Sequence, residues 1–203
     1  MPDRPFRHLV LQARWRPAGH GAPGHPPPAL AAWLFDTGSL TRRLRAACAE
    51  RGQAFAVEVL RTGRARLLND EAAALGCRRS GYAWVREVLL RAGGEPWVFA
   101  RTVVPLRSLR GAGRSLTRLG ARPLGELLFA DPQVRRGPLQ VARLDLRRPL
   151  YRHACAPCAD AAVALWARRS VFHIGGRPLL VCELFLPAHP AVRAHALANV
   201  PER

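Results

Sequence analysis

The segments Tyr82-Ala-Trp-Val-Arg-Glu-Val-Leu-Leu-Arg91 and Trp97-Val-Phe-Ala-Arg-Thr-Val-Val104 decide the fold, because both are rich in β-branched and aromatic residues. Between them lies Gly93-Gly94-Glu95-Pro96, in which the two glycines tolerate positive φ and a proline follows. A turn of this composition between two β-prone segments predicts a β-hairpin. Strands joined by a hairpin run antiparallel, so we expect an antiparallel sheet.

A second hairpin is predicted later in the chain. Its first strand, turn and second strand are Leu165–His173, Gly175–Pro178 and Leu179–Leu186. Residues 85–105 align without gaps on residues 167–187, and in that register Arg86 matches Arg168 while both glycine pairs and both prolines coincide. The repeat favours an ancient duplication, with chance similarity as the alternative because the identity is low.

The rest of the chain predicts helices and two further strands. The expected helices are 40–47 with Ser39 as N-cap, 69–76, 115–119 and 124–129, and the expected strands are 55–59 and 139–146. The helix pair broken by Gly120 to Pro123 is either an ordinary surface pair or a lid over a pocket. We predict an α+β fold, an antiparallel sheet with helices packed on or folded over one side. Residues 1–203 form one domain, with 1–28 as an irregular Pro/Gly-rich segment and 188–203 as an irregular or helical tail.

Composition narrows the classes of function. The 203 residues are 49% apolar, which is typical of a globular protein. The net charge is +18, but all the basic residues are arginines spread along the chain, so we expect a small anionic substrate and no nucleic acid. No apolar run approaches the ~20 residues of a membrane span, and no signal peptide is evident, so we expect a cytoplasmic protein without stable membrane insertion.

Cysteine and histidine residues give no sign of a metal centre. The odd number of cysteines argues against a disulfide framework, and the lone Cys155-Ala-Pro-Cys158 is only half of a zinc site. We interpret it as a loop with two free thiols. The histidines that we place in turns, loops and tails, with solvated side chains, are His8, His20, His25, His173, His189 and His195.

Charged residues interrupt strand faces that are otherwise apolar. By period-two alternation, Arg86 shares a face of its strand with Trp84 and Val88. In the last strand, Glu183 shares a face with Val181, and the opposite face of that strand is also apolar. Such a strand is normally buried on both sides, so Glu183 is expected in the interior. There it needs a cation, several hydrogen-bond donors or a proton.

Two interpretations fit these buried charges. One is a structural ion pair between Glu183 and either Arg86 or Arg168, and the other is a functional site, because perturbed ionisable groups concentrate at such sites. Arg101 would share a face with Phe99 and Val103. It is either an arginine at the rim whose stem lies on apolar surface, or a ligand contact.

At these same residues the chain resembles the chorismate pyruvate-lyase family of ubiquinone biosynthesis, from about Trp33 to Pro187. The matching segments are 84–90, 94–97, 101–105, 119–129, 168–170 and 176–187. Their order and spacing together are specific, although no single segment is decisive. The resemblance implies an antiparallel sheet with a buried ligand pocket covered by helical flaps.

The resemblance also implies roles for individual residues. Arg86 matches the arginine that binds the ring carboxylate of chorismate, and Glu183 matches the acidic residue beside the ring 4-hydroxyl, so both are candidate catalytic and substrate-binding residues. Leu124 matches a flap leucine that contacts the ligand. Leu40 lies where relatives have Met, and Arg101 matches an arginine near the pocket entrance. No metal and no organic cofactor are implied.

The implied reaction is the elimination of pyruvate from chorismate to give 4-hydroxybenzoate, the first step of ubiquinone ring supply. Planar guanidinium groups suit the carboxylates of this dianion. A covered pocket that fits the product predicts product inhibition and release-limited turnover. Chorismate and 4-hydroxybenzoate are the expected partners, and we expect a monomer, with a small homo-oligomer as the alternative.

A non-catalytic ligand-binding module is the rival hypothesis. Effector domains of some bacterial transcription regulators resemble this fold and bind small molecules in the same pocket. Such regulators normally carry a DNA-binding domain before the effector domain, whereas about thirty Pro/Gly-rich residues precede Trp33 here. The presence of both Arg86 and Glu183 also favours the enzyme.

Overall fold

The computed structural model describes residues 13–18, 25–158 and 162–198, and these form an eight-stranded sheet. The strands are β1 (Arg16–Pro17), β2 (Phe55–Arg66), β3 (Tyr82–Ala92), β4 (Glu95–Pro105), β5 (Arg135–Arg136), β6 (Gln140–Asp145), β7 (Ala164–Ile174) and β8 (Arg177–Phe185). Their spatial order is β1-β6-β7-β8-β4-β3-β2, and β5 pairs with β7. All these pairs are antiparallel, which confirms the predicted fold class.

Both predicted hairpins are present, and they form the centre of the sheet. β3 and β4 make the first, β7 and β8 make the second, and β4 lies beside β8. The turn residues Gly93, Gly94, Gly175 and Gly176 all have positive φ, which explains why each turn carries a glycine pair. The strands expected at 55–59 and 139–146 correspond to β2, which continues to Arg66, and to β6.

A β-bulge in the first hairpin corrects the gapless alignment of the two repeats. Leu90 pairs with Val98, but Arg91 pairs with Pro96, so the register shifts by one residue. The pairing of β7 with β8 has no such shift. Beyond the bulge, each β4 residue therefore matches a different β8 residue in the structure than in the gapless sequence alignment, namely the one that lies one position earlier. Arg101, which the alignment matches with Glu183, no longer matches it.

In the described part of the chain, six helices pack against the sheet. They are α1 (Pro28–Leu34), α2 (Leu40–Ala49), α3 (Asn69–Ala74), α4 (Leu124–Ala130), α5 (Pro149–Cys155) and α6 (Pro190–Ala198), and two 3-10 helices lie at Leu106–Leu109 and Gly111–Arg118. The predictions for α2, α3 and α4 are confirmed, and Ser39 Oγ accepts a hydrogen bond from the Arg42 N–H at the start of α2, at 3.4 Å. Residues 115–118 are in a 3-10 helix and not in an α-helix.

Parts of the chain expected to be irregular are ordered. Within the 1–28 segment, residues 16–17 form β1, and Pro28 occupies the first turn of α1, where a proline's missing N–H costs nothing. The described part of the tail includes α6, which is the helical one of the two predicted alternatives. Cys155 ends α5 instead of lying in a loop, and residues 159–161 lie outside the described chain. Over the described residues, no helix is long and apolar enough to cross a bilayer.

His189 corrects the expectation of a solvated side chain. It is fully buried, its ring packs edge-on against Trp33, Trp97 and Phe185, and its Nδ1 accepts the Ala191 N–H at 3.2 Å. Burial and nearby arginines lower the pKa of His189 to about 3, so the ring is neutral at physiological pH. His8 and His20 lie outside the described residues.

Helices cover both faces of the sheet, whereas covering of one side was predicted. One face packs against α3 and α5 through a core that includes Leu89, Phe99 and Leu184. The other face packs against α1, α2, α4 and α6 through cores that include Val88 and Val181. The central strands are apolar on both sides, and each apolar face must be removed from water.

Candidate active site

A cavity lies between the sheet and the helices α2 and α4. It holds about 610 Å³ of space between atoms, and part of this space is open to solvent. We call this side of the sheet the cavity face and the other side the opposite face. The charged and polar residues that line the cavity are Thr41, Arg86, Thr102, Arg136, Arg168, Ser170 and Glu183.

Strand register places these residues in two rows across the sheet. One row runs Arg86–Thr102–Val181–Ser170, and the next runs Val88–Ala100–Glu183–Arg168. Arg86 and Glu183 therefore line one common cavity, which strand alternation predicts. They lie on β3 and β8 with β4 between them, so their backbones are roughly 10 Å apart across the sheet.

Arg86 is a buried cation with spare hydrogen-bonding capacity. It is 3% exposed, and one terminal nitrogen donates to the carbonyl oxygens of Gly120 and Arg122 at 2.9 and 3.1 Å. Its Nε has no hydrogen-bond partner, and no described carboxylate forms an ion pair with it. Burial lowers the pKa of this guanidinium, because a charge is less stable away from water. An anion in the cavity would satisfy the free N–H.

Glu183 is bound to Arg168 and not to Arg86. Arg168 Nε donates to Glu183 Oε2 at 2.6 Å, and Arg168 Nη1 also donates to the carbonyl oxygens of Trp33 and Asp36, both at 2.8 Å. The equivalent position opposite Arg86 is Thr102, which carries no charge. In one hairpin the cavity-facing arginine is thus neutralised by its cross-strand neighbour, and in the other hairpin it is not.

Arg136 is a cavity residue that sequence reasoning missed. Its Nε donates to Ser170 Oγ at 3.0 Å, its Nη1 donates to the Thr37 carbonyl oxygen, and its guanidinium lies over the Phe172 ring. The residue follows an exposed arginine in a segment without periodicity, so nothing in the local pattern indicates that it faces a cavity. For Ser170 the sequence does contain an indication, because Arg168-Arg169-Ser170 is a polar run inside a buried strand.

The flaps consist of α2 and α4, whose first residues are the predicted contacts Leu40 and Leu124. Both side chains are buried and line the cavity. The flaps touch closely at Gly125, where a Cβ would lie 3.0 Å from both Ser39 Oγ and Thr41 Oγ1. An exposed ion pair between Arg45 on α2 and Glu126 on α4 also joins them.

The structure corrects the predicted position of Arg101. It is 1% exposed on the opposite face, away from the cavity entrance. Its guanidinium binds both carboxylate oxygens of Glu71, at 2.6 and 3.1 Å, and also binds Glu87. The predicted position rested on the resemblance to the family, whereas the alternation that groups Arg101 with Phe99 and Val103 agrees with the structure, in which all three are buried on this face.

Comparison with known proteins defines first the class of fold and then the family. The C-terminal domain of PhnF, a solved structure, matches with a TM-score of 0.51 and 16% identity over 68% of this chain and 86% of that chain, which shows a shared fold only.

Residues 10–194 match the family described as chorismate lyase. A probable chorismate pyruvate-lyase of Thiobacillus denitrificans is 47% identical over 92% of this chain and 95% of its own length. Another, from Aromatoleum aromaticum, is 50% identical over 79% of this chain and 86% of its own length. The chain belongs to the chorismate lyase family.

The family assignment bears on the rival hypothesis of a ligand-binding module. Relatives that are about half identical over most of the chain carry the name of an enzyme. The likeness to PhnF, at 16% identity, concerns the fold. The effector-module hypothesis is therefore not favoured.

Proposed function

We propose that this protein is a carbon–oxygen lyase that converts chorismate to 4-hydroxybenzoate and pyruvate, the step that begins ubiquinone ring supply. The observation that carries the proposal is the placement of Arg86 and Glu183 on the lining of one cavity. The names of the relatives point to the same substrate. Neither a metal nor an organic cofactor is part of the proposal, because aromatisation of the ring drives the elimination.

In this proposal Arg86 binds the ring carboxylate. Its free Nε and its buried guanidinium offer a charge-assisted hydrogen bond that no described protein group takes. Such bonds are stronger at a buried site than in water, and Arg86 is 3% exposed beneath the flaps. Leu40 and Leu124 then cover the ring as apolar flap contacts. Binding in this way orients the ring before bond breaking.

Glu183 is proposed to lie beside the 4-hydroxyl of the ring. During elimination the bond between ring carbon 3 and the enolpyruvyl oxygen breaks, ring carbon 4 loses its hydrogen as a proton, and the departing enolpyruvate takes up a proton to become pyruvate. Arg168 holds the Glu183 carboxylate in place at 2.6 Å. The carboxylate either carries the proton or positions the hydroxyl while the proton passes directly to the leaving group.

A direct assay tests the proposed reaction. Purified protein is mixed with chorismate in the presence of EDTA, and 4-hydroxybenzoate is followed by its absorbance while pyruvate is measured with a coupled enzyme. We expect both products in equal amounts. Conversion no faster than the spontaneous reaction would contradict the proposed function.

The Glu183→Gln variant separates the two roles of the carboxylate. An acid–base role predicts a fall in turnover of about 100- to 10,000-fold, because this is the usual contribution of a positioned proton carrier. Turnover equal to that of the unaltered protein would exclude the acid–base role. Glu95→Gln, at the exposed turn of the first hairpin, serves as the control with the same change of charge.

Product inhibition and the setting of the protein belong to the same proposal. A flap-covered cavity that fits the 4-hydroxybenzoate carboxylate and hydroxyl retains the product, so release limits turnover and rapid mixing should give a product burst. We also propose a cytoplasmic monomer, with a small homo-oligomer as the alternative, whose partners are chorismate and 4-hydroxybenzoate. Cell fractionation tests the location, and light scattering tests the monomer.

A further inference from the structure

Arg136 stands at the opposite end of the cavity from Arg86. The row Arg86–Thr102–Val181–Ser170 crosses four strands, and Ser170 Oγ holds the Arg136 guanidinium at 3.0 Å. Three strand spacings separate the backbones of Arg86 and Ser170, which is roughly 14 Å. Long side chains from both ends of this row border the same cavity. A ring bound between them would have one guanidinium on each side.

Arg136 has no carboxylate of its own among the described residues. Burial lowers the pKa of Arg136, and the acids whose charges oppose this shift are Glu183 and Asp36. Glu183 is bound to Arg168 at 2.6 Å, and Asp36 is bound to Arg43 at 3.0 Å. The remaining partners of Arg136 are a hydroxyl, a backbone carbonyl and the Phe172 ring, and none of them carries charge. Arg136 therefore keeps a positive charge that is free to bind an anion.

The charges of the cavity lining match a dianion. The described lining has three arginines and one glutamate, and the pair of Arg168 with Glu183 leaves two uncompensated positive charges, on Arg86 and Arg136. Chorismate has two carboxylates, one on the ring and one on the enolpyruvyl group. The product 4-hydroxybenzoate keeps only the ring carboxylate.

We propose that Arg136 binds the carboxylate of the enolpyruvyl side chain and that Ser170 is the positioning residue that holds this guanidinium. The inference rests on the proposed function and extends it, because it assigns the second carboxylate to a residue. It makes Arg136 a specificity determinant that distinguishes substrate from product. Once pyruvate departs, Arg136 loses its partner while Arg86 keeps the ring carboxylate.

Binding of stable analogues tests the proposal without turnover. The probe is 3-(carboxymethoxy)-4-hydroxybenzoate, which carries a second carboxylate where chorismate has its side chain, and the comparison ligand is the corresponding amide. We expect the unaltered protein to prefer the acid by about 10- to 100-fold, the usual worth of a charge-assisted hydrogen bond. Arg136→Gln should abolish the preference and leave 4-hydroxybenzoate affinity within about 3-fold. Arg86→Gln should weaken acid and amide alike.

Matched variants separate an effect on ligand binding from an effect on folding. Arg135→Gln makes the same change at an exposed position of the same short strand and should keep the preference. Arg136→Lys keeps the charge and should restore part of the preference. Ser170→Ala should reduce it, because the guanidinium loses its anchor. An Arg136→Gln protein that still prefers the acid, or that loses affinity equally for acid, amide and 4-hydroxybenzoate, would overturn the proposal.

The same measurements distinguish this inference from the proposed function. A protein that prefers the acid through Arg136 but does not convert chorismate would contradict the lyase reaction and leave the second anion site standing. A protein that converts chorismate but whose acid preference is indifferent to Arg136→Gln would contradict the second anion site alone.

Discussion

The two faces of the sheet differ in how far carboxylates of the protein compensate the charges of their arginines. On the opposite face, Arg101 binds the carboxylates of Glu71 and Glu87, and Arg169 lies 3.7 Å from Asp70. On the cavity face, Arg168 is paired with Glu183, but the buried Arg86 and the half-buried Arg136 have no carboxylate partner among the described residues. The first arrangement satisfies its charges within the protein, and breaking it should cost stability. The second leaves positive charge available, so changing it should cost binding.

The largest effect on stability is expected from Arg101→Met. This change leaves the fully buried Glu71 without its cation, and an uncompensated buried charge costs about 3–5 kcal/mol of unfolding free energy. Urea denaturation measures the loss. Arg91→Met is the matched control, because its ion pair with Glu58 lies at the surface and should contribute at most about 1 kcal/mol. Equal losses in the two variants would contradict the distinction.

The second-largest effect on stability is expected from acid, which should weaken the ion pairs of the opposite face. Burial raises the pKa of Glu87, but His153 and Arg101 outweigh burial and lower it from 4.5 to about 2. A lowered carboxyl pKa stabilises the fold above pH 4.5, and this contribution is lost as the pH falls from 4.5 towards 2. The loss amounts to about 3 kcal/mol. Urea denaturation across this range should show a shallower decline for Glu87→Gln, and an unchanged slope would refute the assignment.

The smallest effect concerns the flaps over the cavity face. Glu126→Gln removes the exposed ion pair with Arg45, which is worth at most about 1 kcal/mol. We expect 4-hydroxybenzoate to dissociate up to about 5-fold faster, with the unfolding free energy nearly unchanged. Stopped-flow displacement measures the rate, and Glu95→Gln, far from the flaps in sequence, should leave it unaltered. A slower release would contradict the flap model.

Sequence patterns that repeat along a strand predicted most of the fold. Glycine pairs between alternating segments located both central hairpins, and alternation placed Arg86 and Glu183 on the faces that line one cavity. These inferences held because each depends on local geometry, namely the φ of a turn residue or the side to which a strand residue points.

The rest depended on tertiary structure. Arg101 was left open between a rim residue and a ligand contact, because its partners Glu71 and Glu87 come close to it only in the folded protein. Arg136 reaches the cavity because a two-residue strand pairs with β7, which is a long-range contact without local periodicity. The partner of Glu183 was left open between Arg86 and Arg168, and the register of the second hairpin, which places Arg168 directly opposite Glu183, settles it as Arg168.

The most direct test asks whether Arg86, an uncompensated arginine of the cavity face, binds the ring carboxylate. In this test 4-hydroxybenzoate is titrated into the unaltered protein and into the Arg86→Met variant. We expect the variant to bind about 10- to 100-fold more weakly by calorimetry, since a charge-assisted hydrogen bond is lost, while its unfolding free energy stays within about 1 kcal/mol. Unchanged affinity in a folded Arg86→Met protein would contradict the account.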